Sequence, residues 1–122
     1  MATLVDQEFQ ARLAALGAKF AATVPVTMGK ISAALAACDA ETTPSAATLT
    51  ELQELLHGVA GSAGTFGFGE LGQQCRRIEQ ALRVVIMAQN FSPSEWQPIR
   101  QEVKRLLAWA EIDLKSPWPE SH

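Results

Sequence analysis

The 122-residue chain contains no tyrosine, only two cysteines and two histidines, and aromatic residues make up 7% of it. Each shortage closes off a class of protein. Cys38 and Cys75 form no ligand-like cluster with each other or with His57 and His122, so nothing suggests a metal site, and both thiols are expected to sit reduced in helices. No Lys/Arg-rich run occurs, and a net charge of −3 with 19% charged residues lacks the electrostatic footprint of a nucleic-acid binder. An unbroken apolar stretch of the roughly 18 to 20 residues that a membrane span needs is missing, as is a basic N-terminal segment leading into an apolar one. A cytoplasmic protein without membrane insertion is the expectation. Internal repeats of solenoid length and low-complexity tracts are absent as well.

What the chain does have is alanine and leucine, a bias toward helix, and 48% hydrophobic residues, enough for one core and too short for two ordinary domains. A single domain over residues 1–122 follows. Phe9, Leu13, Leu16 and Phe20 recur at helical spacing, and Val24, Met28, Ile31 and Leu35 continue the series. Proline fits a first helical turn better than an interior, so Pro25 predicts two helices in line, about 4–22 and 25–38. Thr42, Thr43, Pro44 and Ser45 give the next stretch turn composition. Leu52, Leu55, Leu56, Val59, Ala63 and Phe66 then share one face of a helix over 46–65. After Gly67 and Gly69, Leu71, Cys75, Ile78, Leu82 and Val85 repeat the pattern over 68–89. Asn90 and Phe91 lead to Ser92 as a cap, Pro93 at the first helical position and Glu95 to close a capping box. Trp96, Ile99, Val103, Leu106 and Ala110 carry the last helix, 93–113, and residues 114–122, with Trp118 between two prolines and His122 at the end, read as a loose tail. Five such stripes are buried together most simply in an all-α fold: an up-down-up-down four-helix bundle with an additional N-terminal helix. Nothing in it requires more than a monomer.

One polar residue stands out. His57 lies about 140° from the apolar centre of its helix, on the solvent side, with Gln53 a turn before it and Ala60, Gly61 and Gly64 after it. Gly58, Gly61 and Gly64 each cost about 1 kcal/mol relative to alanine in a helix interior, which close approach by another backbone would repay. The alternative is that they simply end the helix.

The run His57-Gly58-Val59-Ala60-Gly61-Ser62-Ala63-Gly64-Thr65-Phe66-Gly67-Phe68 resembles the signature of histidine-containing phosphotransfer domains: His, any residue, an aliphatic, often Lys, Gly, then small residues and a hydrophobic-Gly pair. It is most similar to the N-terminal phosphotransfer domain of chemotaxis histidine kinases and to stand-alone relatives of that domain. The resemblance implies a phosphocarrier that accepts a phosphoryl group on His57 from a sensor or hybrid histidine kinase and passes it to the aspartate of a response-regulator receiver domain. The resemblance further implies no autonomous enzyme activity and no cofactor of its own, the Mg²⁺ coming with the receiver. It also implies that Gly61 leaves room for the docking partner, and that Glu79, in Ile78-Glu79-Gln80-Ala81-Leu82, holds the second imidazole nitrogen. A surface ion pair of Glu79 with Arg76 or Arg83 is the competing reading. Where the family usually carries Lys, this chain has Ala60; Arg76 and Arg83 stand on the same side of their helix as Glu79 and are candidates to replace that charge and to meet a partner alongside Gln53, Ala60, Gly61 and Gly64. The loss of the lysine leaves open a second function, a docking module that binds a receiver or kinase without carrying phosphate.

Overall fold

A computed structural model describes residues 4–88 and 92–119; Asn90 and Phe91 of the expected turn and His122 of the expected tail lie outside them. The described residues form four helices, α1 (Leu4–Asp39), α2 (Ala46–Ala63), α3 (Gly69–Ala88) and α4 (Pro93–Ile112). Each packs on the next, and α4 closes on α1, which gives an all-α four-helix bundle with chain neighbours side by side. Arg100 near the start of α4 donates Nε–H to Asp39 at the end of α1 at 2.8 Å, so these two helices run antiparallel. The core is the expected set of stripes: Val24, Met28, Ile31 and Leu35 from α1, Leu52, Leu56 and Val59 from α2, Leu71, Cys75, Ile78, Leu82 and Val85 from α3, and Trp96, Ile99, Val103 and Leu106 from α4, all buried. Burying each large aliphatic side chain is worth about 1.5–3 kcal/mol.

The break expected at Pro25 does not occur. The helices placed at 4–22 and 25–38 are one continuous α1 of 36 residues with Pro25 inside it. Pro25 is exposed while Val24 and Met28 are buried, so packing against the bundle holds both halves on one axis against the local cost of the proline. Thr23 helps by donating its hydroxyl to the carbonyl of Phe20 at 2.7 Å, one residue before the carbonyl that Pro25 leaves without an N–H. The additional N-terminal helix is therefore the leading half of α1. Its apolar spacing predicts a core face, yet Phe9 is 61% and Leu16 48% exposed. Phe20 is where that stripe meets the bundle, stacked on Phe66 with ring centroids 5.6 Å apart and tilted against Phe68 at 5.5 Å. By length and composition alone α1, with a mean hydropathy of 1.3 over its most apolar stretch, is long and apolar enough to cross a membrane. Its trailing half instead supplies the core residues named above.

α2 starts at Ser45, whose hydroxyl accepts the Thr48 N–H at 3.2 Å. α4 starts at Ser92 with Pro93 in its first turn, as expected, but the Ser92 hydroxyl pairs with Ser94 at 2.6 Å and makes no cap bond, so the capping box is not formed. Between α2 and α3 the chain turns on Gly67 at φ 87°. Phe68 N–H returns to Ala63 C=O at 2.8 Å and Gly67 N–H to Gly64 C=O at 3.4 Å, the paired bonds of a Schellman motif with Gly67 in the left-handed position. Gly67→Ala is expected to cost about 1–2 kcal/mol in urea unfolding, because a Cβ strains that conformation.

The segment read as a loose tail is docked as far as Pro119. Trp118 sets its ring edge-on to Trp109 at 5.5 Å with the Arg105 guanidinium 5.1 Å from its centre, and Arg105 donates to the Pro119 carbonyl at 2.7 Å. Lys115 donates to the Gly67 carbonyl and lies 4.2 Å above the Phe68 ring, tying this segment to the α2–α3 turn.

Cys38 and Cys75 are free and buried. Burial pushes the Cys75 thiol up to about 12, and burial, with Asp39, Glu41 and Glu51 nearby, pushes Cys38 up to about 11. Both thiols stay protonated in the fold at pH values where an unfolded chain ionises. Their contribution to stability is complete below pH 9 and is lost as pH rises toward 11–12. Unfolding free energy is expected to be insensitive to these groups up to pH 9 and to fall above it, with a shallower fall in Cys75→Ala; a thiol reagent at pH 8 is expected to label the native chain only at the rate of unfolding.

Candidate functional site

His57 sits in the middle of α2 with its side chain 68% exposed, on the solvent side as its phase predicts. Behind it, on α3, Glu79 is buried to 4% and turns one carboxylate oxygen toward the ring. His57 Nδ1 to Glu79 Oε1 is 3.5 Å, longer than an ordinary N–H···O hydrogen bond of about 2.9 Å and within ion-pair range. The same oxygen accepts the Gln53 side-chain N–H at 2.6 Å and lies 3.4 Å from the Arg83 guanidinium. A buried carboxylate is tolerated when polar partners surround it, and Gln53 from the neighbouring helix together with Arg83 one turn along its own supply them. Glu79 thus faces His57 and Arg83 at once, so the two readings offered for it are not alternatives. Arg76 has no such contact with Glu79 among the described residues.

The helix pair carrying these groups is drawn unusually close. A Cβ on Gly72 of α3 would stand 3.3 Å from Ala63 Cβ, 3.3 Å from Gly64 N and 3.6 Å from Ala60 O. That close approach was expected at Gly58, Gly61 and Gly64, yet a Cβ on any of the three would meet nothing within 4 Å. The glycine at the contact is Gly72 on the opposite helix, for which a glycine beside Leu71 inside the α3 stripe is the signal in the sequence. Gly58, Gly61 and Gly64 are exposed and leave the surface beside His57 free of side chains. Ala60 is the exception among the expected docking residues. It is 7% exposed and belongs to the α2–α3 contact, so its methyl is not offered to a partner. Gln53 is half-buried, and Arg76 and Arg83 are exposed. Gly72→Leu is expected to wedge the two helices apart, lowering stability by about 3 kcal/mol, read as a shift of the urea midpoint.

Among the described residues, an antiparallel helix bundle thus offers one imidazole on its surface, backed by a carboxylate from the next helix. The chain belongs to the Hpt domain family, whose model matches residues 15–109. Histidine phosphotransfer in two-component signalling, through interaction with kinases and receiver domains, is the general function of that family. No curated protein and no solved structure matches the chain.

Proposed function

We propose that this chain is a phosphorelay intermediate that takes a phosphoryl group on His57 Nε2 from a kinase or receiver domain and gives it to a response-regulator aspartate. The observation that carries the reading is the pairing of an exposed imidazole with buried Glu79 through Nδ1, which leaves Nε2 as the nitrogen open to solvent. In its neutral form the imidazole carries its one proton on Nδ1 facing Glu79 and a lone pair on Nε2. That lone pair attacks phosphorus, the N–P bond forms as the bond from phosphorus to the donor group breaks, and the electron pair leaves on that group, which is the aspartate carboxylate when the donor is a receiver. The ring gains positive charge as this happens, and Glu79 stabilises it while holding the tautomer, as carboxylates do behind metal-bound histidines. Onward transfer is the reverse with a different aspartate. Mg²⁺ enters with the receiver.

Arg83 is the better replacement for the absent lysine. Its guanidinium and His57 Nδ1 each lie within 3.5 Å of the same Glu79 oxygen, so it borders the imidazole, whereas position 60 is buried between helices. Gly58, Gly61 and Gly64 supply the side-chain-free face on which a receiver settles. One copy of the chain suffices for the transfer step, in the cytoplasm with its partners. The test is incubation with phosphorylated receiver domains followed by intact-mass measurement: a gain of one phosphoryl group supports the carrier, and receiver binding without that gain supports the phosphate-free docking module.

A further inference from the structure

α1 has 36 residues where α2, α3 and α4 have 18, 20 and 20, and it first meets the α2–α3 turn at Gly17, beside Phe66, so residues 4–16 of its leading half stand beyond the bundle, roughly 20 Å. That half repeats the apolar stripe of the half that is packed. Val5, Phe9, Leu13, Leu16 and Phe20 fall within about 80° on the helical wheel, and Val5, Phe9 and Leu16 are 73%, 61% and 48% exposed. Large apolar side chains in a row on one helical face mark an interface. The stripe runs into an open groove of about 510 Å³ lined by Leu13, Gly17, Ala21, Phe66 and Phe68, where small residues on α1 leave space beside the α2–α3 turn.

The charges along the stripe identify the occupant. Glu8, Arg12 and Lys19 lie on one edge of it, acidic toward the N-terminus and basic toward the bundle, while Asp6, Gln10 and Gly17 form the other edge. In an antiparallel helix pair each edge meets its own copy reversed, which sets Glu8 against Lys19 of the second molecule, twice by symmetry. A parallel pair instead sets Glu8 beside Asp6. The edge is thus complementary to itself in one direction only, and we infer that this chain forms a twofold antiparallel dimer through residues 4–20 of α1. Two helical segments of this length bury roughly 1,000 Å² in total, at the lower limit for a specific interface, so the dimer is weak and concentration-dependent. The surface is separate from His57, and the inference does not rest on the phosphocarrier reading.

Sedimentation equilibrium over about 1–500 μM, on the full chain, tests it. The wild type is expected to show a reversible monomer–dimer equilibrium, and Phe9→Glu and Leu16→Glu to be monomeric throughout with unchanged thermal unfolding of the bundle. Glu8→Lys and Lys19→Glu are each expected to weaken the dimer about three- to tenfold, and the two together to recover most of that loss. A wild type that stays monomeric across the range overturns the inference and points to another protein or a lipid surface as the occupant. A dimer indifferent to both apolar substitutions, or a double charge swap no tighter than the singles, overturns it as well.

Discussion

His57→Gln is expected to abolish phosphoryl acceptance from every competent donor while leaving the fold intact. The imidazole is 68% exposed and contributes no core packing, so its loss should move stability by no more than about 0.5 kcal/mol. Glutamine keeps a polar group over Glu79 but has no nitrogen lone pair able to form a phosphoramidate. His122, the other histidine of the chain, should carry nothing: label that survives in His57→Gln would move the acceptor elsewhere. Binding to a receiver is expected to persist in the variant, because the glycine face and Arg83 are untouched. That separation of transfer from binding distinguishes a carrier from a docking module more sharply than loss of function alone.

Glu79→Gln is expected to slow transfer by about 10- to 100-fold, the usual consequence of removing a carboxylate that supports a reacting histidine. The amide retains the volume of the side chain and an oxygen for the Gln53 N–H, so the packing between α2 and α3 is preserved. Removing a buried charge also removes its desolvation cost, at the expense of the Arg83 contact, so stability should change by less than about 1 kcal/mol in either direction. A merely structural Glu79 would give the opposite pattern, with lowered stability and unaltered transfer per folded molecule.

The exposure of His57 was legible in the sequence because helical phase alone places it on the solvent side, and the string after it resembles a family signature. Glu79 followed from that resemblance, and its burial did not: a carboxylate about 80° off the core face reads as a surface group until Gln53 is seen to reach across from α2. Gly72 illustrates a different limit. Which of two helices supplies the small residue at a close contact depends on their relative register, and periodicity within one helix carries no register. The misplaced break at Pro25 shows tertiary packing overriding a local preference, since Val24 and Met28 hold α1 straight where the isolated segment would be expected to part. The C-terminal segment lacked helical period, yet Trp118, held by Arg105 and Trp109, docks it without any regular structure. Single aromatic anchors of that kind leave no pattern to read.

The central claim is that His57 Nε2 carries the phosphoryl group while Nδ1 faces Glu79. Correlated phosphorus–nitrogen NMR on chain labelled with ¹⁵N in its histidines, after charging by a phosphorylated receiver, addresses it directly. The account predicts a single phosphoramidate on Nε2 of His57 that disappears when a second, unphosphorylated receiver is added; phosphorus on Nδ1, on another residue, or on no residue with any donor that binds would contradict it.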